Sequence, residues 1–197
     1  MNPQMPQTTA DPGTAGMPVA PSEEQTRRAA IYGLLAALLR SAPDHEVLEY
    51  TRGLQADAGS EKNDLPLAFG SLALAARHSD VEALRDEYHS LFIGLGRGEL
   101  VPYGSWYQTG FLMEKPLGLL RADLRRLGFE RDDDVREPED HIAALCEVMS
   151  LMILDGFATE QQQHFFNSHL GNWATGFFSD LAGAQAAVFY RSVARLG

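Results

Sequence analysis

Residues 137–149 read EPEDHIAALCEVM. Three acids, a proline and a histidine crowd into five positions, and the chain then turns apolar at helical spacing. Proline suits a first helical position, because its missing N–H has no intrahelical partner there. The spacing therefore predicts a helix with Glu137 as N-cap, Pro138 at its first position, Glu139 and Asp140 in its first turn, and an end near Leu154. Carboxylates at that end satisfy free backbone N–H groups and face the positive pole of the helix dipole. That capping explanation covers the proline and the acids but not His141, whose cationic form the same dipole disfavours. A neutral His141 is expected, oriented by Asp140 or Glu137. Whether the motif only starts a helix or also forms a site stays open at this point.

Working outward, the same helical signature recurs along the chain. Ser22 with Gln25 three residues on fits a capping box. Ile31, Leu34, Leu35, Leu38 and Leu39 follow as an apolar stripe. Further helices are predicted at 44–55, 66–78, 79–92, from Pro116 to Gly128, and near 158–170, 172–182 and 184–195. No stretch sustains the period-two alternation of a strand. The fold class is all-α, a single compact bundle of about eight to ten helices over 22–197. Residues 1–21 hold five of the ten prolines with Gly, Thr and Gln. Such a segment buries too little apolar surface to offset its ordering entropy, so it is expected to be a disordered tail.

Composition narrows the function. Sixteen basic against 27 acidic residues give a net charge of −11, which repels phosphate backbones and argues against nucleic-acid partners. No apolar run approaches the length of a membrane span, so stable membrane insertion is not expected. The single cysteine, Cys146, lies in an apolar helical run and reads as a buried, unreactive thiol. With no Lys or Arg before Arg27, the start lacks the charged region of a secretory signal, and a cytoplasmic location is expected.

Catalytic motifs are missing from the pattern. Helical di-iron proteins use Glu-x-x-His, whereas the nearest spacings here are Asp86-x-x-His89, Glu137-x-x-x-His141 and Glu160-x-x-x-His164. Gly94, Gly96 and Gly98 follow a helix rather than a strand and do not make a phosphate-cradling loop. Ser105 sits in no nucleophile elbow. The chain is read as a non-enzyme without a cofactor or metal. The alternative is a metal-binding helical-bundle enzyme using Asp86, His89, Glu137 and His141. One other region stands out, the aromatic stretch LVPYGSWYQTGF at 100–111. Tyr103, Trp106, Tyr107 and Phe111 either pin a loop to the core or form a binding surface, since Tyr and Trp offer large contact area at low entropy cost.

Taken in order, EYHSLFIGLG (87–96), VPYGSWYQTG (101–110), EPEDHIAALCEVMSLM (137–152) and QHFFNSHLGNWATGFFSDL (163–181) resemble the landmarks of the TorD/DmsD/NarJ-type redox-enzyme maturation chaperones. The similarity spans about residues 27–196. It implies an all-helical cytoplasmic chaperone for the catalytic subunit of a molybdenum oxidoreductase. Such a chaperone binds the subunit's twin-arginine signal peptide and assists cofactor insertion before export. Carried over by position, Pro138, Asp140 and His141 match the family's peptide-recognition signature, and Tyr103, Ser105 and Tyr107 match the neighbouring loop. Glu137 and Trp106 join them on chemical grounds. The resemblance further raises weak GTP binding, which no motif here supports, and a monomer or a homodimer.

Overall fold

The computed structural model describes residues 21–55, 64–95, 97–130 and 136–197. The expected tail therefore lies outside the described residues, apart from its last one, and so does Gly96. Among the described residues there are ten α-helices and no strand. They are α1 (Glu23–Arg40), α2 (His45–Arg52), α3 (Leu65–Arg77), α4 (Val81–Tyr88), α5 (Gly104–Thr109), α6 (Lys115–Leu127), α7 (Ile142–Leu154), α8 (Thr159–His169), α9 (Ala174–Gly183) and α10 (Tyr190–Leu196). No described helix is long and apolar enough to cross a membrane.

The core is built on α1 against α7, the most extensive helix pair. Leu34, Leu35, Leu38 and Leu39 of α1 meet Ile142, Leu145, Cys146, Met149 and Met152 of α7, all buried. The two helices come close where Ser150 Oγ donates to the carbonyl of Ala29 at 2.9 Å. Burial pushes the Cys146 thiol up to about 12, so it stays protonated. At the start of α1, Ser22 and Gln25 form the expected capping box.

Four expectations are corrected. The helix predicted from residue 79 becomes a π-turn at His89–Ile93 and stops at Gly94. A side chain at Gly94, where φ is +60°, would meet the Arg97 carbonyl oxygen at 2.2 Å, so this position requires glycine. The aromatic stretch is not a loop throughout, because 104–109 form α5. The last helix begins at Tyr190 rather than near 184. Most consequentially, the helix expected to start at Pro138 starts at Ile142.

The backbone explains that four-residue delay. Gly104 N–H donates to the Asp140 carbonyl and Ile142 N–H to the Pro102 carbonyl, both at 2.9 Å, making an antiparallel bridge between Tyr103 and His141. Residues paired this way must be extended, and His141 has φ −63° and ψ 136°. Local capping propensity is overridden by a long-range backbone pairing.

Candidate functional site

The bridge joins the two stretches that the sequence singles out. Asp140 does not cap its own helix. Its Oδ2 accepts from the Ser105 N–H at 2.7 Å, while its carbonyl takes the Gly104 N–H, so it ties down the start of α5. Asp140 is 3% exposed and Ser105 fully buried, and Asp140 Oδ1 and Ser105 Oγ have no hydrogen-bond partner among the described residues. His141 is the actual N-cap of α7, its Nδ1 accepting from the Ala143 N–H at 3.1 Å. Burial, reinforced by the Arg40 charge, lowers the imidazole to about 4. The expected neutral histidine is therefore present. It is oriented by the Ala143 amide and an edge-on Tyr103 ring with centroids 5.1 Å apart, not by Asp140 or Glu137. Both members of the Asp-His pair are thus engaged by the fold.

The Tyr103 hydroxyl donates to Glu137, which is exposed. Trp106 turns to Arg97, whose guanidinium lies 4.7 Å from the ring centroid. Tyr107 points the other way, stacking on Trp173 at 5.5 Å and donating to Asp180 at 2.9 Å. Burial and that carboxylate raise its phenol above the ordinary range. Gly104 is needed beneath this stack, since a side chain there would approach the Trp173 indole at 3.1 Å. Of the eight predicted residues, then, Tyr103, Ser105, Glu137, Pro138, Asp140 and His141 converge, whereas Trp106 and Tyr107 serve α5's other contacts.

Beside this unit opens a groove of about 1160 Å³ between α6, the segment before α7, α7 itself and the end of α1. Glu137, Pro138 and His141 line it, so three of the predicted residues reach the cavity. Its apolar lining consists of Leu124, Phe129, Ala143, Ala144, Val148 and Leu151. Its charged lining consists of four glutamates (Glu130, Glu137, Glu139 and Glu147) and four arginines (Arg40, Arg121, Arg125 and Arg136). Sequence reasoning missed those arginines. Their only local signal was the spacing of Arg121 and Arg125 on the polar side of the Leu117, Leu120, Leu124 stripe. His169 of α8 is also buried, with its Nε2 at 2.8 Å from Asp123 of α6.

Asp86 and His89 of the metal alternative stand on the exposed face of α4 and its π-turn. Among the described residues, no three His, Cys, Asp or Glu converge on a point where an ion could sit.

The fold is thus an all-helical bundle with an aromatic segment fixed beside a groove lined by apolar and charged side chains. The chain belongs to the nitrate reductase delta subunit family, the NarJ/TorD family, whose model matches residues 59–179. It is 26% identical to the chaperone protein TorD of Vibrio parahaemolyticus, over 86% of this chain and 89% of that one. The TorD chaperone of Psychrobacter sp. is also 26% identical, with 77% of each chain covered. A crystal structure described as a redox enzyme maturation protein from Archaeoglobus fulgidus shares the fold, with a TM-score of 0.59 over 96% of this chain and 95% of that one at 20% identity.

Proposed function

We propose that this chain is a cytoplasmic maturation chaperone for the catalytic subunit of a molybdenum oxidoreductase. It binds the subunit's twin-arginine signal peptide, holds the subunit back from export and assists cofactor insertion. The observation that carries this reading is the groove, whose lining combines apolar side chains with the carboxylates of Glu137, Glu139 and Glu147. A twin-arginine peptide presents two guanidiniums followed by a modest apolar stretch, and the groove offers a complement to each part. Charge-assisted hydrogen bonds to a guanidinium contribute about 1.5–3 kcal/mol each, and apolar burial about 25 cal/mol per Å². After ordering costs, micromolar affinity is the expected scale.

Roles divide by exposure. Glu137, Pro138 and the Tyr103 edge contact the peptide. Asp140, Ser105 and His141 position them, through the capping of α5 and the start of α7. Trp106 and Tyr107 hold the aromatic segment in place. The test is capture of the tagged full chain from its native cytoplasm, with mass spectrometry of what co-purifies. A molybdoenzyme catalytic subunit retaining its twin-arginine leader is the expected finding. Expression of such enzymes without their capture sinks the reading.

A further inference from the structure

From Leu65 to Ala76 the chain reads LPLAFGSLALAA, so α3 carries no charged residue before its last, Arg77. One face of α3 is used by the fold. Ala68, Leu72, Ala73 and Ala76 are buried, and the helix packs on α2 and α10. The opposite face is open. Leu67 is 73% exposed and Leu74 is 56% exposed, and seven residues place them on one line of the helix. Exposed helix faces ordinarily carry polar and charged side chains, and this one carries two leucines with Gly70 and Ser71 between them.

The line continues to both ends of the helix. Asp64 is the N-cap of α3 and His78 its C-cap, and both are exposed. Asp64, Leu67, Ser71, Leu74 and His78 are thus spaced by three, four, three and four residues, the spacing of a seam that packs on another helix. The Asp64 carboxylate makes no capping bond to its own helix. His78 turns Nδ1 to the Leu74 carbonyl at 2.9 Å, which leaves Nε2 for an outside partner. Arg77, at the edge of the face, is tied to the Arg52 carbonyl.

Read from either end, the line runs from an ionisable group to leucine, to serine, to leucine, to an ionisable group. Its two ends take opposite charges, so it complements itself when reversed. We infer that this face of α3 is a homodimer interface, packed antiparallel on α3 of a second copy about a two-fold axis at Ser71. Each Leu67 then meets the partner's Leu74, and each Asp64 meets the partner's His78. The small side chains of Gly70 and Ser71 let the two helices approach at the axis. A parallel arrangement would set Asp64 against Asp64, and like charges across an interface are costly. Two chains of net charge −11 repel, and this face lets them meet with only the complementary Asp64 and His78 ends in contact. A thirteen-residue helix is about 20 Å long, a contact at the small end for protein pairs, so the dimer is reversible and depends on concentration.

The test is sedimentation velocity of the full chain over roughly 1–200 µM, the span of affinities such small contacts give. The sedimentation coefficient is expected to rise with concentration from monomer towards dimer. Leu74→Glu should weaken self-association at least about tenfold, because it puts a charge into the apolar contact. His78→Asp sets two carboxylates together and should weaken it about three- to tenfold, and adding Asp64→Lys should restore it, since the charges are then exchanged. Circular dichroism checks folding, and if Leu74→Glu fails to fold, His78→Asp and its rescue carry the test. Ser71→Cys places two thiols at the axis, so mild oxidation should give a covalent dimer, with Cys146 buried and out of reach. A monomer at every concentration, with no cross-linking of Ser71→Cys, overturns the inference. A dimer left unchanged by folded Leu74→Glu and His78→Asp also overturns it, because self-association then uses another face. Loss in His78→Asp without recovery in the exchanged pair overturns the antiparallel arrangement.

Discussion

Glu87 and Glu99 face backbone, whereas Glu137, Glu139 and Glu147 face side chains, and the two groups mark regions with opposite uses for the same residue type. The Glu87 carboxylate accepts from the backbone N–H groups of Val188, Phe189 and Tyr190 at 2.8–3.1 Å. Glu99 accepts from those of Gln185 and Ala186. Together they fix the connection between α9 and α10 and seat the fully buried Tyr190, whose hydroxyl donates to the Leu38 carbonyl at 2.9 Å. A backbone amide cannot swing away, so those carboxylates are permanently committed. The groove carboxylates pair with a phenol and two guanidiniums on flexible stems, Glu137 with Tyr103, Glu139 with Arg121 and Glu147 with Arg40, and such partners can be exchanged. The chain thus uses glutamate as a structural acceptor at its C-terminal end and as an exchangeable one at the groove.

At the groove, His141 is where pH breaks the comparison first. Folding lowers His141 to about 4 against an unfolded value near 6.5, because its charged form is poorly solvated where it sits. Stability from this group is fully present above about pH 6.5 and is lost as pH falls toward 4. The loss is on the order of 2–3 kcal/mol near the bottom of that window. His141→Asn keeps an acceptor for the Ala143 N–H but does not titrate. Denaturant midpoints at pH 7 and 4.5 should fall further for the native chain than for this variant, and equal falls would remove His141 from the account.

Glu87→Ala comes next. It strips the acceptor from three backbone donors and should cost about 2–3 kcal/mol in urea unfolding, with peptide affinity unchanged wherever the chain is folded. Asp140→Ala is intermediate in kind. Loss of the Ser105 N–H acceptor should cost about 1–2 kcal/mol and should also weaken peptide binding, since α5 and Tyr103 lose their anchor. A stability loss with intact affinity would place Asp140 wholly with the structural group.

The fold was legible because local signals and packing agree over most of the chain. The α1 capping box, the Leu34 to Leu39 stripe and the Pro116 to Gly128 helix all appear where apolar spacing and caps put them. Legibility ended where distant backbone decides. Glu137-Pro138-Glu139-Asp140 has every local mark of a helix start, yet pairing with residues 102–104 moves that start to Ile142. The same pairing turns Asp140 from a cap for its own helix into a cap for α5. The groove was half legible. Glu137, Glu139 and Glu147 lay inside a recognisable motif, but Arg40, Arg121, Arg125 and Arg136 come from three separate stretches of the chain. No spacing rule joins residues that only tertiary packing brings together.

Glu137→Gln is expected to have the smallest effect on the fold and to separate the two regions most sharply. Glu137 is exposed, and glutamine retains an oxygen to accept from the Tyr103 hydroxyl, so the substitution removes charge with little change in contact. Unfolding free energy should stay within about 0.5 kcal/mol of the native value, as for most surface changes. Affinity for an Arg-Arg peptide should nevertheless fall about three- to tenfold, because one charge-assisted contact becomes a neutral one. The salt dependence of binding should flatten as well, since screening acts on the charge that has been removed. The matching change at the other region, Glu87→Gln, should do the reverse, lowering stability while leaving the salt dependence of binding alone. If Glu137→Gln left both affinity and salt dependence untouched, the exposed carboxylate would be as inert toward a client as the α9–α10 connection, and the division of the glutamates into committed and exchangeable would fail at Glu137.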